Sequence, residues 1–141
     1  MKKKIFIALS VFTLLLTIVI FSKRKSIPES PIKILQTEDL KVGTGDLAMV
    51  GKRIKIHYTA SVYQGQIFES TREKNSPLSF RLGNGETIAG FEQGIPGMKV
   101  GGIRILTMPP DMGFGKSGSS QRIPPNSALV YEVELLEAKG N

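Results

Sequence analysis

The sequence predicts an α+β domain, an antiparallel sheet wrapped over one short helix, with an N-terminal apolar helix ahead of it. Three observations predict it. Period-two alternation recurs along the chain, most clearly in Arg53–Val62, where Ile54, Ile56, Tyr58, Ala60 and Val62 share one face. One short stretch breaks that rhythm: Ile88, Phe91 and Ile95 fall at helical spacing. The 141-residue chain also holds 15 Gly and 8 Pro, a composition of many turns and short strands.

The first element is the run Ile5–Phe21, apolar apart from Ser10, Thr13 and Thr17 and bracketed by Lys2–Lys4 and Lys23-Arg24-Lys25. As a helix it spans about 26 Å, close to the roughly 30 Å of a hydrocarbon core. Residues 1–25 therefore read as a signal peptide or a single membrane anchor. The anchor is preferred, because no Ala-x-Ala exit follows. Cleavage after Ile20-Phe21-Ser22 is the alternative. A buried core helix fits poorly, because the run is apolar on every face. Lysines flank both ends, so the charge asymmetry is slight. Lys-Lys-Lys at the start resembles the n-region of a secretory signal, which places the remainder outside the inner membrane, facing the periplasm or the cell exterior. Residues 26–31, Ser-Ile-Pro-Glu-Ser-Pro, read as a stiff linker. The compact domain is expected over 32–141, long enough for one core.

Within it, Arg53–Val62 is a half-buried strand, Tyr63–Gln66 a turn and Ile67–Ser70 a second strand. Leu78–Leu82 alternates again, and Ile103–Met108 and Ala128–Glu137 supply two more strands. In the last of these, Leu129, Tyr131, Val133 and Leu135 lie on one side. The helix Ile88–Ile95 contains two glycines, each costing about 1 kcal/mol relative to Ala. So short a helix does not persist alone and must be held by the sheet.

Charge and composition exclude several functions. The net charge of +7 arises mainly at the N-terminus: six of the 19 basic residues flank the apolar run, leaving 13 against 12 acidic residues from Ser26 onward. No basic patch remains for nucleic acid. With no cysteine there is no disulfide framework, thiolate metal site or Cys nucleophile. The single His57 cannot build a multi-His metal centre, and alternation puts it on the polar face of its strand. No Gly-x-Ser-x-Gly elbow occurs, and Gly83-Asn84-Gly85 lacks the rest of a phosphate loop. Neither a cofactor nor a metal is expected. What remains is a set of aromatic side chains near strand faces, the helix or a Gly-rich loop: Tyr58, Phe68, Phe80, Phe91, Phe114 and Tyr131. For each one singly, core packing is the simpler explanation.

The order and spacing of several segments carry a resemblance. They are Val42-Gly43-Thr44-Gly45, Ile56-His57-Tyr58-Thr59, Gly65-Gln66-Ile67-Phe68-Glu69-Ser70-Thr71, Pro77–Gly83, Ile88–Gly102, Pro110-Asp111-Met112-Gly113-Phe114-Gly115 and Ile123–Leu136. Together, from about Ile34 to Ala138, the chain resembles the FKBP family of peptidyl-prolyl cis/trans isomerases. The resemblance implies a strongly bent sheet of five to six strands around the helix, with an aromatic pocket that receives a proline ring. Carried over by position, Tyr58, Phe68, Leu78 and Tyr131 would wall the pocket and Phe91 would floor it. Thr87 and Ile88 would join the substrate-binding residues, with the Ile88 backbone N–H binding a ligand carbonyl, Glu69 would be a polar group at the pocket edge, and Ile123 would overhang it. Phe80 would pack in the core.

Four positions depart from the family's usual residues. Glu69 stands for Asp, Phe114 for a Tyr whose hydroxyl donates to a ligand carbonyl, Phe91 for Trp and Leu78 for Phe. The implied function is isomerisation of Xaa-Pro bonds in unfolded or partly folded exported proteins. Modest activity and weak binding of the family's macrolide inhibitors are expected. The alternative is a module that binds proline segments with little catalysis. A general holdase chaperone would need a further apolar surface or dimerising domain.

Overall fold

The strand Arg53–Val62 is the hub of the fold, and both of its edges are occupied. The computed structural model describes residues 27–119 and 122–140, so the apolar run 5–21 and its basic flanks lie outside the described residues. Among the described residues no helix is long and apolar enough to cross a membrane. The elements in order are β1 (Gln36–Lys41), β2 (Arg53–Val62), β3 (Ile67–Ser70), β4 (Leu78–Arg81), α1 (Ala89–Gly94), β5 (Ile103–Met108) and β6 (Leu129–Lys139). A 3-10 turn, Pro110–Met112, follows β5.

The strands form one six-stranded sheet in the order β1-β5-β6-β2-β3, with β4 also paired to β2, and every pairing is antiparallel. Two short strands share one edge of β2: β4 lies along Arg53–Ile56 and β3 along Thr59–Ser61. Thr71 closes the gap between them. Its N–H donates to the Tyr58 carbonyl, and its hydroxyl accepts from the Tyr58 N–H at 2.8 Å. The same hydroxyl lies 2.9 Å from His57 Nδ1, so His57 is hydrogen-bonded rather than simply hydrated.

The alternation read in β2 and β6 is the burial seen. Ile54, Ile56 and Ala60 of β2 and Leu129, Tyr131, Val133 and Leu135 of β6 enter one core with Phe80, Leu82, Phe91, Ile95, Leu106 and Met108. Near the end of β6 a bulge shifts the register: Ile56 pairs with Leu135 but Lys55 with Glu137. The inward phase moves with it, from Leu135 to Ala138.

The helix α1 covers this core through its glycines. A Cβ at Gly90 would stand 2.4 Å from the Met108 side chain, and one at Gly94 would stand 2.7 Å from Leu106. Four residues apart on the helix, they face residues two apart on β5, which draws the helix backbone onto the sheet. Arg104 fixes the other end of α1. Its Nη1 donates to the Gly94 and Pro96 carbonyls at 2.9 and 3.3 Å, where the last helical carbonyls lack partners. The rest of its guanidinium grips Asp39 of β1 with both carboxylate oxygens engaged.

β1 had no expectation in the sequence. All six of its residues are exposed, so nothing alternates. The stretch 26–31, read as a stiff linker, is partly docked: Ser30 is buried, and Asn126 Nδ2 donates to the Pro28 carbonyl at 2.8 Å. Ile32, the first residue of the expected domain, is buried directly after it.

Candidate functional site

Four aromatic rings that are far apart in sequence meet where β2, β3, α1 and β6 face one another. Tyr58 lies on the inward phase of β2, and Phe68 is placed by the hairpin Tyr63–Gln66. Phe91 is at the helical position one turn into α1, and Tyr131 is on the inward phase of β6. Phe91 and Tyr131 meet at 4.8 Å with planes at 78°, and Tyr58 and Tyr131 at 5.5 Å and 62°. Tyr58 lies 5.6 Å from Phe91, and Phe68 lies 6.4 Å from Tyr131 at 85°. These tilted and edge-on geometries suit aromatic quadrupoles. Phe80 stacks on the other side of Phe91 at 6.3 Å and is fully buried, so it belongs to the core beneath the cluster, as expected.

The remaining candidates fall around these rings in different ways. Leu78 and Ile88 are half-buried against the same core, and Ile123 is buried in it. The Ile88 N–H donates to no group among the described residues, while its carbonyl receives the Phe91 and Glu92 amides that open the helix. Phe114 is 37 % exposed, its ring lying outside the cluster's ring contacts. Thr87 turns its hydroxyl to Glu92 Oε1 at 3.4 Å, which ties the approach to α1 rather than the rings. Glu92 also accepts from the Gly83 N–H, so this one carboxylate braces the Gly83–Ile88 turn.

Glu69 is engaged on both oxygens. Tyr58 donates its hydroxyl to Oε2 at 3.0 Å and Lys74 Nζ lies 3.0 Å from Oε1. Burial, then the Glu69 charge, then this hydrogen bond push the Tyr58 hydroxyl up to about 12. Burial chiefly, with Tyr58 and Glu69 adding to it, raises Tyr131 further. Both therefore stay protonated throughout the physiological range.

A residue the sequence reading overlooked is Arg122. It sets its Nη1 3.1 Å from the Phe68 carbonyl and, with Val62, Gly65, Ile67 and Pro124, borders a groove of about 430 Å³ that continues from Phe68. Arg122 reaches the Phe68 carbonyl from beside the Ser119–Ile123 bridge, and no local signal in the sequence announces that. Among the described residues no group of His, Cys, Asp or Glu side chains is arranged to hold a metal ion.

Comparison with known proteins agrees with this architecture. The family model described as "FKBP-type peptidyl-prolyl cis-trans isomerase" matches residues 45–136. The chain is 45% identical over 100 residues to an "FK506-binding protein" of Neisseria meningitidis, covering 71% of this chain and 92% of that one. It is 39% identical over 125 residues to "FK506-binding protein 2" of Candida glabrata, covering 87% and 90% respectively. Among solved structures, that of AtFKBP13 superposes with a TM-score of 0.69 at 37% identity, covering 74% of this chain and 93% of that one. A six-stranded antiparallel sheet over one short helix, matched over most of its length by such relatives, makes this chain a member of the FKBP-type peptidyl-prolyl cis-trans isomerase family.

Proposed function

We propose that the domain isomerises Xaa-Pro bonds of exported proteins, receiving the proline ring among Tyr58, Phe68, Phe91 and Tyr131. Leu78, Ile88 and Ile123 complete the apolar surround. The observation that supports this reading is the convergence of the four rings from four separate elements.

The chemistry needs no nucleophile. Resonance sets the barrier to rotation about the peptide bond at about 18–20 kcal/mol. The planar amide carries more charge separation than the twisted one, so apolar surroundings disfavour the planar form relative to the twisted form. Walls shaped to the twisted bond add to the difference. Each tenfold in rate requires only about 1.4 kcal/mol of such differential stabilisation. The unpaired Ile88 N–H holds a carbonyl of the bound segment. Glu69, tied to Tyr58 and Lys74, keeps the Tyr58 ring in place at the rim. Thr87 supports Ile88 through Glu92.

Residues 5–21 carry the domain to or across the membrane, retained as an anchor with the domain facing the periplasm or cell exterior, or removed as a signal. Intact-mass measurement of the mature protein from cells decides between these. The relatives are named for FK506 binding, and macrolides of that type bind this chain weakly, because Phe114 offers no hydroxyl and Leu78 and Phe91 present less ring surface than the family's usual residues.

A protease-coupled assay on an Xaa-Pro peptide tests the enzyme. Acceleration over buffer is expected from the full chain, and a rate equal to buffer removes the claim. One observation favours a second reading, a proline-segment binding module with little catalysis: Phe114 is exposed and has no phenolic donor. Peptide binding without turnover would establish that reading.

A further inference from the structure

The Tyr131 hydroxyl is the one polar group of the ring cluster whose proton the fold does not use. Tyr131 is only 3% exposed, yet among the described residues its hydroxyl has no hydrogen-bond partner, and no buried side-chain oxygen is left unsatisfied. The small exposed remainder of the residue therefore includes the hydroxyl oxygen. Its ring lies 5.5 Å from that of Tyr58, whose hydroxyl meets Glu69 at the rim. Glu69 has not captured its proton: that carboxylate is already bound by Tyr58 on one oxygen and Lys74 on the other.

Apart from the Ile88 backbone N–H, which takes one carbonyl of the segment, the other candidate donors around the rings are committed or missing. The Tyr58 proton goes to Glu69, Thr87 turns to Glu92, and Phe114 has no hydroxyl. A proline segment asks for donors. Proline has no N–H, so the polar groups around the rotating bond are carbonyl oxygens that only accept.

We propose that the Tyr131 hydroxyl is a substrate-binding donor, hydrogen-bonding a carbonyl oxygen of the Xaa-Pro segment held among the rings. The inference rests on the proposed function, since it assigns a second role to a wall of that site. In the free protein the hydroxyl is open to solvent, and on binding the segment's carbonyl takes the place of solvent. The exchange has the modest net worth of a neutral hydrogen bond. High proton affinity keeps the group a donor at every pH at which the protein works.

The test is Tyr131→Phe in the full chain, which keeps the ring and removes only the oxygen. Turnover of an Xaa-Pro peptide, affinity for that peptide by calorimetry and thermal midpoint are measured beside the parent chain. A group that only supports the fold would lower the midpoint when removed. A hydroxyl with no partner in the protein leaves the midpoint unchanged or raises it. The expected result is an unchanged or raised midpoint, with kcat/KM and peptide affinity both down about 2- to 10-fold. Unchanged or improved kcat/KM and affinity overturn the inference and leave the proposed function intact. So does a loss of activity that tracks a fall of several degrees in the midpoint. A parent chain that neither binds nor turns over the peptide overturns the proposed function itself and this inference with it. The two failures are thus told apart by the parent alone.

Discussion

Tyr58 and Tyr131 lie 5.5 Å apart and differ in what the fold asks of their protons. Tyr58 holds Glu69, and burial with that neighbour's charge raises its pKa from 10.0 to about 12. The sign of the pH effect follows. The folded protein binds this proton more tightly than the unfolded chain, so the contribution is fully present below the unfolded value and is lost as pH rises through about 12. Denaturant unfolding followed across alkaline pH should show stability falling from the ordinary tyrosine range upward, with a shallower fall in Tyr58→Phe. An identical slope in the two proteins would mean that folding does not raise the Tyr58 pKa. At this scale much of the site was legible. Tyr58, Phe91 and Tyr131 each fall on the inward phase of a recognisable element, and burial follows phase. What was not legible was engagement: nothing local in the sequence tells that Glu69 would be taken by Tyr58 and Lys74, since Lys74 arrives from the Thr71–Ser76 turn.

Among the elements, α1 shows why two glycines persist in a six-residue helix. Their cost in helix propensity is about 1 kcal/mol each. It is offset because any side chain there would enter the space of Met108 and Leu106, both fully buried. Gly94→Ala is expected to lower stability by about 1–2 kcal/mol, the overpacking exceeding the gain in propensity. A urea midpoint that rises instead would show that Leu106 yields freely. The sequence displayed the spacing of Ile88, Phe91 and Ile95 but not this reason, because a close approach depends on the partner strand. β1 was invisible for a related reason. An edge strand exposed on every residue has no face to pattern, and it is held by register to β5 and by the Asp39–Arg104 pair. That pairing also holds the Asp39 carboxyl below its usual range. β2, β3, β4, β5 and β6 were legible because each has an inward face or a turn at its boundary.

Taken whole, the molecule is a sheet whose two sides of β2 carry different duties: β6 builds the core, while β3 and β4 divide the opposite edge between rim and base. The Pro-containing stretch ahead of β1 belongs to this body, a fact hidden from composition because Ser30 and the Pro28 carbonyl are held by hydrogen bonds that no apolar pattern announces. A chain beginning at Lys33 should therefore melt below one beginning at Ile27, by the burial of Ile32 and the Asn126 bond, together about 2–4 kcal/mol. Equal midpoints would show the stretch to be a passive tether. Asn126 also donates its backbone N–H to the Gly115 carbonyl, so the stretch is pinned to the base of the loop carrying Phe114 and Ile123. From Phe21 to this pin at Pro28 the backbone extends at most ~25 Å. If the apolar run is retained, as proposed above, that reach makes it a short leash on the Pro28 end of the domain.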